Sequence, residues 1–521
     1  MSVRHTDNIS MRVAYPVFAA LLAACSTGSA PEPLQKFDPV ITLTGEITRA
    51  DHQTYKEIPF AVPVGVTRLS VDFAYTNKEN RTVIDLGLRD PQGLRGWSGG
   101  NKSTFTIGEF GATPSYRPGP LPPGEWKLIL GVPNTREGQT ATWTATITLD
   151  NAKETPRKQS AAIWSASQVI SGTPGWYRGD FHMHTAHSDG SCDVHGKREP
   201  CPVVQTVQAA RNANLDFAAI TDHNTITQLG DIRSLQASFP RTLLIPGTEV
   251  TTFYGHANAI GVTGPVDFQL GSPHLPTLGK LFDELAAQNA ILSVNHPSLP
   301  SGEICMGCGW TAKDTDWSRV TAIEVVNGST LRTGGPEGPT SGIRFWDNLL
   351  KQGYRLTAIG GSDNHDATDA AGAKQPPIGK PTTVVYASEL STAGIIAGVK
   401  SGRIFVDVAG LPGLSLDMNA ISNGQSTDMG GELRLPEDKS AILTVWYDSA
   451  LPNAQLAYVS NGLVFTDRRS VPGPVARKDA HGEAMSARLA PGATSGYVRT
   501  ELRDAAGKLL LLGNPIYIRK Q

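Results

Sequence analysis

The segment Arg178-Gly-Asp180-Phe-His182-Met-His184-Thr-Ala-His-Ser-Asp189-Gly decides the fold of the central part of this chain. It follows a short apolar run and places two histidines two residues apart at the end of a predicted strand. Alternate residues of a strand point to the same face, so His182 and His184 can share one metal ion. Asp189 adds a carboxylate in the loop that follows.

Four further motifs of the same kind end or follow other short apolar runs. They are Thr-Asp-His223-Asn, Glu249 with the nearby His256, Asn-His296-Pro and Ser-Asp363-Asn-His365. Nitrogen and carboxylate ligands that come from several strand ends can hold two or three divalent cations in one pocket. The first hypothesis is therefore a metal-dependent hydrolase.

Together, these motifs resemble the PHP family, named for polymerase and histidinol phosphatase, over roughly residues 174–408. The phrases Ser-Gly-Arg403-Ile-Phe-Val and Gly-Asn514-Pro-Ile-Tyr are similar to the CehA/McbA branch, which includes carbaryl-hydrolase-like proteins. The resemblance implies a distorted seven-stranded (βα)7 barrel with two or three divalent ions, which could be zinc, manganese or iron.

The resemblance also implies which residues hold each ion. The first ion would be held by His182, His184, Glu249 and Asp363. The second would be held by His256, His296 and a bridging Glu249, and the third by Asp189, His223 and His365. Some family members place a histidine near the Asp189 position, so the resemblance leaves undecided whether a third ion is bound.

Catalytic roles follow from the same assignment. Glu249 would act through the two ions that it bridges, and His223 or His365, when no third ion holds it, could protonate a leaving group. Arg403 could contact a phosphate or carboxylate through its guanidinium, or it could form a salt bridge on the barrel rim. Asp180 and Asp222 are expected to be structural or to support the ligands.

The rest of the chain has the texture of β-domains, so we expect a multidomain α/β plus all-β protein. Residues 37–150 alternate apolar and polar positions between turn signals, which predicts an antiparallel β-sandwich of jelly-roll kind. Residues 151–172 form a linker, 173–409 the barrel, and 410–521 a smaller β-domain. We expect the two β-domains to have cores separate from that of the barrel. Trp97, Trp126 and Trp143 could form a carbohydrate platform or could be packing residues.

Within the barrel, predicted strands alternate with helices, which favours parallel pairing. The active sites of such barrels lie at the carboxyl ends of the strands, where the motifs fall. Helical spacing of apolar residues, together with turn signals, predicts helices over residues 202–213, 277–288, 343–351 and 391–400.

The N-terminus has the pattern of a targeting segment. Arg12 precedes an apolar run over residues 13–24 that ends in Leu22-Ala-Ala-Cys25, which is typical of a signal peptide over residues 1–25. This ending resembles a bacterial lipobox, in which Cys25 is lipidated and residues 26–36 form a tether. An ordinary secretory signal is the alternative, and translation could start at Met1 or Met11.

The other four cysteines form two local pairs in a compartment that we expect to be oxidising. Disulfides Cys192–Cys201 and Cys305–Cys308 are the simplest interpretation. The alternative is a structural zinc site that uses all four thiols and therefore brings two distant loops together.

These observations favour a lipid-anchored hydrolase of the bacterial cell envelope, either periplasmic or at the outer membrane, which uses a metal-activated water on a small phosphate ester. One alternative keeps the site but cleaves a carbamate or carboxyl ester, and the other is a non-catalytic envelope binding protein with a vestigial barrel. The net charge is −2 and the chain has no basic run, which argues against nucleic acid as a partner.

The lipobox interpretation predicts that Cys25→Ser abolishes lipidation, because the serine hydroxyl cannot replace the thiol that carries the lipid. Membrane fractionation and the mass of the processed N-terminus would measure this. Unchanged membrane association and unchanged processing in the Cys25→Ser variant would contradict the lipid anchor.

Overall fold

The computed structural model describes residues 38–151, 165, 168–303, 305–448, 453–461, 465–471, 483–489, 491 and 495–521. The predicted signal, Cys25 and the tether lie outside these residues, as does most of the predicted linker. Across the described ranges, no helix combines the length and the apolar character needed to cross a bilayer.

Residues 40–150 form two four-stranded antiparallel sheets, with the strand orders β1-β8-β3-β6 and β2-β7-β4-β5. Alternate residues of β8 are buried, as expected for sheets that pack through one face. Trp126 and Trp143 are 0% and 4% exposed, so both indoles are packing residues. The strands are β1 (Val40–Ile47), β2 (Thr54–Val62), β3 (Arg68–Tyr75), β4 (Val83–Asp90), β5 (Gly93–Gly99), β6 (Thr104–Gly108), β7 (Gly124–Asn134) and β8 (Ala141–Asp150), with a 3-10 helix at Arg49–Asp51.

The central region contains both strands and helices, and β10 and β11 form a separate hairpin. The strands are β9 (Gly175–Asp180), β10 (Ser191–Val194), β11 (Lys197–Pro200), β12 (Phe217–Ile220), β13 (Leu243–Thr252), β14 (Gly255–Ile260), β15 (Ile291–Val294), β16 (Ala322–Asn327), β17 (Thr357–Gly361), β18 (Thr382–Ala387) and β19 (Ile404–Asp407). The helices are α1 (Val203–Asn212), α2 (Leu229–Leu235), α3 (Leu278–Ala287), α4 (Gly328–Gly334), α5 (Ile343–Lys351) and α6 (Thr392–Ser401), with a 3-10 turn at Gln236–Ser238.

Local signals set the bounds of the helices. The hydroxyls of Thr277 and Ser391 cap α3 and α6 by accepting hydrogen bonds from backbone N–H groups of the first turn, and Gly402 ends α6 in the left-handed conformation. All four predicted helices are present with ends within two residues of the prediction. The two helices that the sequence did not predict, α2 and α4, are seven residues long.

A regular (βα)7 barrel is not evident, because the sheet departs from strict βα alternation. Strands β17-β16-β15-β14-β13-β12-β9 follow one another, but β14 runs antiparallel to both of its neighbours. Only Phe253 and Tyr254 separate β13 from β14, and a parallel crossover needs about a dozen residues. The two strands therefore form a hairpin in the place of a βα unit.

No backbone ladder joins β17 and β9, the strands at the two ends of this series. Beside them, the Thr383 hydroxyl of β18 accepts a hydrogen bond from Gly360 N (2.7 Å) and donates one to Gly360 O (2.8 Å). Just past the strand ends, Asp363 N donates to His182 O and His184 N donates to Asn364 O, each at 2.9 Å. The segments that carry the metal-ligand motifs thus connect the two ends of this series of strands by hydrogen bonds.

The C-terminal strands belong to two sheets. A five-stranded sheet has the order β21-β20-β23-β26-β25, whereas β28, β27, β29, β22 and β24 continue the central sheet beyond β19. The strands are β20 (Ser415–Ser422), β21 (Gln425–Asp428), β22 (Glu432–Leu435), β23 (Ala441–Asp448), β24 (Gln455–Ser460), β25 (Phe465–Val471), β26 (Glu483–Leu489), β27 (Gly496–Arg503), β28 (Leu509–Gly513) and β29 (Ile516–Lys520).

Contrary to the expectation from the sequence, the cores are not fully separate, because one apolar cluster contains residues of all three regions. It contains Trp97 and Ile129 of the N-terminal sheets, Phe268 of the central region, and Tyr497 and Leu512 of the C-terminal strands. The described residues between Asp38 and Gln521 form one compact unit. The domain boundaries themselves stay predictions.

Both local cysteine pairs are disulfides. Cys192–Cys201 spans the β10–β11 hairpin, and Cys305–Cys308 closes a short loop after His296. Since each thiol is bonded to its near neighbour, the four-cysteine zinc alternative is not formed.

Asn514 ties the C-terminal strands to the central sheet. Its side chain is fully buried, donates to Ala358 O (2.9 Å) and Ile404 O (3.0 Å), and accepts from Ala358 N (2.7 Å). One amide thus satisfies three backbone groups on β17 and β19.

We expect Asn514→Ala to destabilise the protein, because Ala358 N and Ala358 O lose their side-chain partner, whereas Ile404 O keeps the hydrogen bond from the backbone N of residue 514. Each unpaired group costs about 1–3 kcal/mol, so the free energy of unfolding should fall by about 2 kcal/mol or more. Chemical denaturation would measure this change. Asn348→Ala, at an exposed position of α5, is the control and should change stability by less than about 0.5 kcal/mol.

Candidate metal centre

The motif residues converge on the carboxylate of Glu249, which is fully buried on β13. Its Oε2 atom lies 3.3 Å from His182 Nε2 and 3.5 Å from His184 Nε2. Its Oε1 atom lies 3.3 Å from His256 Nδ1 and 3.4 Å from His296 Nε2. Each oxygen thus faces a different histidine pair, which is the arrangement that a bridging carboxylate requires.

The β13–β14 hairpin explains why Glu249 and His256 meet. Glu249 pairs with Asn258 and Thr251 pairs with His256 across the hairpin. Directly paired residues of antiparallel strands share a face, and residues two apart on one strand do so as well. Glu249 and His256 therefore point to the same side as diagonal neighbours.

Asp363 completes the first ligand group. Its Oδ1 atom lies 3.3 Å from His182 Nε2 and 3.1 Å from His184 Nε2. Asp363 and His296 both have positive φ angles, of 55° and 28°, which non-glycine residues rarely adopt. Backbone strain of this kind concentrates at functional sites, where the surrounding structure holds it in place.

A third group forms the more open side of the cluster. It brings donor atoms of His184, Asp189, His223 and His365 within 4.8 Å of one another. His365 Nε2 lies 3.3 Å from Asp189 Oδ2, and the Asp189 side chain is 38% exposed. His223 also reaches the buried side, since its Nδ1 lies 2.9 Å from Glu249 Oε2.

The donor set fits divalent cations. Four buried atoms of the cluster form no hydrogen bond of suitable geometry among the described residues, even though Glu249 Oε2 lies 2.9 Å from His223 Nδ1, and these are His182 Nε2, His256 Nε2, Glu249 Oε2 and Asp189 Oδ1. Buried polar atoms are almost always partnered, so these four call for ligands. Imidazole nitrogens with carboxylate oxygens suit zinc, manganese or iron.

Strong electrostatic coupling accompanies this packing. Burial raises the pKa of Glu249, but the surrounding His182, His223 and His256 hold it well below its ordinary value. Burial together with the charges of His365 and His223 lowers the pKa of His184 to about 4. At neutral pH, Glu249 is therefore ionised and His184 is neutral, which are the forms that bind metal.

Glu324 supports the cluster, and sequence reasoning missed it. Its Oε1 lies 2.9 Å from His182 Nδ1 and its Oε2 accepts from His296 N at 2.9 Å. A carboxylate that accepts from Nδ1 leaves Nε2 of His182 free to bind metal. The available signal was an acidic residue inside β16, whose residues are otherwise apolar up to Asn327.

Gly361 provides the space for this contact. A Cβ atom at position 361 would lie 2.5 Å from both the Cβ of His182 and Oε1 of Glu324. Asp222 supports the neighbouring loop, since it accepts from Thr185 N (2.7 Å) and from the Ser188 hydroxyl (2.7 Å). Asp222 is thus the supporting residue that the sequence predicted.

Arg403 does not join the cluster, which corrects its prediction as a catalytic contact. Its guanidinium binds Asp417 Oδ2 at 2.5 Å and lies 3.9 Å from the centre of the Tyr386 ring. It also lies beside Trp176 at the start of β9, whereas His182 follows the end of that strand. Six residues of extended chain separate the two positions by about 20 Å, so Arg403 forms a structural ion pair.

A cavity of about 430 Å³ adjoins the cluster on its open side. Asp189, His223 and His256 line it, together with residues of the N-terminal sheets and of the loop closed by Cys305–Cys308. The ligand cluster is therefore reachable through a space large enough for a small molecule.

Comparisons with known proteins include a weak structural similarity. No protein-family model and no curated protein matches this chain. A crystal structure of a two-domain protein from Bacteroides vulgatus ATCC 8482, described as containing a predicted PHP-like metal-dependent phosphoesterase, is 18% identical, with a TM-score of 0.35. The match covers 70% of this chain and 99% of that one. The function proposed next rests on the ligand cluster.

The geometry predicts that Glu249→Gln removes more bound metal than His365→Asn. Glu249 faces two histidine pairs, whereas His365 contacts only the open group, so metal content should fall below about half of wild type in the first variant. Hydrolysis should fall in both variants, and added divalent metal should partly restore it in His365→Asn. Elemental analysis of protein purified with metal would measure the content.

Glu125→Gln, at an exposed position of β7, is the matched control and should keep the wild-type metal content. Near-UV circular dichroism would verify that each variant is folded. Full metal content in Glu249→Gln would contradict the bridging role.

Proposed function

We propose that this protein is a PHP-type metal-dependent hydrolase, a phosphoesterase that acts on a small phosphate ester in the bacterial cell envelope. The observation that carries the proposal is the position of Glu249, whose two oxygens face two separate histidine pairs. Two adjacent divalent ions supply Lewis acidity and lower the pKa of a water molecule.

The chain's own residues perform three tasks in this proposal. Glu249 and Asp363 would provide the negative charge that holds the ions, and His182, His184, His256 and His296 would provide imidazole nitrogens. Glu324 fixes the orientation of His182 through Nδ1. The cavity next to the cluster admits the ester.

His365 is the proposed proton donor to the leaving group when two ions are bound. Burial lowers its pKa, but Asp189 and Asp363 raise it to about 10, so the imidazole holds a proton at neutral pH. Its Nε2 lies on the open side of the cluster, 3.3 Å from Asp189. If a third ion occupies this group, His365 is a ligand and this role is lost.

A carbamate or carboxyl ester is the second candidate substrate. The specific observation in its favour is that no Lys or Arg occurs among the described residues that line the cavity. An uncharged ester needs no cation beyond the metal ions, whereas a phosphate monoester usually meets Arg or Lys as well. Both reactions would use the same ligands.

A substrate panel on metal-free and reconstituted protein tests the proposal. Removal of metal with a chelator should reduce turnover of 4-nitrophenyl phosphate by at least about 100-fold, since the nucleophile depends on metal. Zinc, manganese or iron(II) should restore turnover. The same assay with a 4-nitrophenyl carbamate and acetate compares the two candidates.

The outcomes separate the alternatives. Metal-dependent turnover of the carbamate or acetate without the phosphate would overturn the phosphoesterase assignment and keep the hydrolase. A protein that binds two ions tightly and hydrolyses none of the three esters would favour the non-catalytic binding protein.

A further inference from the structure

The cavity beside the metal cluster has one wall from a different part of the chain. Tyr55, Asp85 and Trp97 come from β2, β4 and β5 of the N-terminal sheets, and they line the same space as His223 and His256. The N-terminal region therefore reaches the candidate active site.

Hydrogen bonds hold this wall against the loop that carries Asp189. Asn101 Nδ2 donates to Ser188 O at 2.6 Å, and Lys102 Nζ donates to the same oxygen at 3.1 Å. The Ser115 hydroxyl donates to His187 O at 2.6 Å. Three N-terminal side chains thus bind the two residues that precede Asp189.

A second attachment holds the loop closed by Cys305–Cys308. Glu303 forms ion pairs with Arg49, at 3.2 Å, and with Arg136. In the same loop, the carbonyl of Cys308 accepts from His296 Nδ1 at 2.7 Å. The N-terminal sheets thus contact two loops that adjoin metal-ligand residues, so the cavity between them has fixed walls.

The chemistry of the wall is aromatic and acidic. The Tyr55 ring stacks on Phe253 with centroids 4.7 Å apart, and Trp97 lies beside them. Asp85 adds a carboxylate to this wall and has no ion pair within the described part of the chain. Burial raises the pKa of Asp85 to about 7, against the smaller opposing effects of His223 and the Gly100 N–H group.

We propose that this cavity binds the leaving group of the substrate, and that Asp85 selects an aromatic alcohol that carries an ammonium group. The inference rests on the proposed hydrolase function and adds the class of alcohol. Aromatic faces attract cations, and an ionised carboxylate in a partly water-excluded space attracts them further. The same carboxylate repels an anionic leaving group.

Three phosphate monoesters whose phenols have similar acidity provide the test, namely those of phenol, tyramine and 4-hydroxyphenylacetate. At pH 8 the tyramine ester carries an ammonium group and the 4-hydroxyphenylacetate ester an extra carboxylate. Because the ammonium group meets the Asp85 carboxylate, kcat/KM should favour the tyramine ester over phenyl phosphate by about tenfold or more. The 4-hydroxyphenylacetate ester should be the slowest.

The Asp85→Asn variant tests the contribution of the carboxylate charge, because asparagine has a similar size and no charge. The variant should lose most of the preference for the tyramine ester over phenyl phosphate, about tenfold, because the phenyl leaving group carries no charge for the carboxylate to attract. Asp72→Asn, at an exposed position of β3, is the matched control and should keep the wild-type preference. Metal content and thermal unfolding verify that both variants are intact.

Calorimetric titration of metal-loaded protein with tyramine alone gives a readout that needs no hydrolysis. We expect wild type to bind tyramine at least about tenfold more tightly than Asp85→Asn does. Such binding without turnover of any ester would keep the subsite and overturn the hydrolase. Equal kcat/KM for the three esters, or equal tyramine binding in wild type and Asp85→Asn, would overturn the subsite and leave the hydrolase standing.

Discussion

The structure around the cluster depends on one constraint, the full burial of an ionised carboxylate at Glu249. An uncompensated buried charge costs several kcal/mol, so positive charge must lie close to both of its oxygens. Four imidazoles from three segments of the chain meet this need. If these imidazoles were neutral and no metal ion were bound, the carboxylate would have no positive charge beside it. Cation binding and the folding of this region are therefore coupled.

The departures from a regular barrel occur where this constraint acts. The hairpin of β13 and β14 replaces a βα unit, and in doing so it brings His256 back to the face of Glu249. The positive φ angles of His296 and Asp363 turn their side chains out of the strand path at the points where the ligands are needed. A regular βα alternation could form the hydrogen bonds of the sheet, but it would not return His256 to the face of Glu249 through a hairpin.

The sequence predicted what is encoded locally and missed what depends on distant contacts. The motif residues from His182 to His365, the four helices and both disulfides were visible because each signal lies within a few neighbouring residues. Arg403 was misplaced because its motif says nothing about Asp417, which lies on β20, and Glu324 was missed because its partner His182 is 142 residues away. The shared core and the continuation of the central sheet into β28 likewise arise from pairings that no local pattern contains.

The N-terminal sheets are the clearest example of contacts that local sequence patterns do not predict. Their alternating pattern predicts a β-sandwich and is equally consistent with an inert spacer, because patterning reports burial and not which neighbour provides it. Trp97 lies in the apolar cluster that also contains Phe268 of the central region, and Asn101 and Lys102 bind the carbonyl before Asp189. A chemistry that depends on Asp189 and on the adjoining cavity therefore depends on these sheets as well. Their contribution to function follows from the walls they share with the cluster, whatever ester the site accepts.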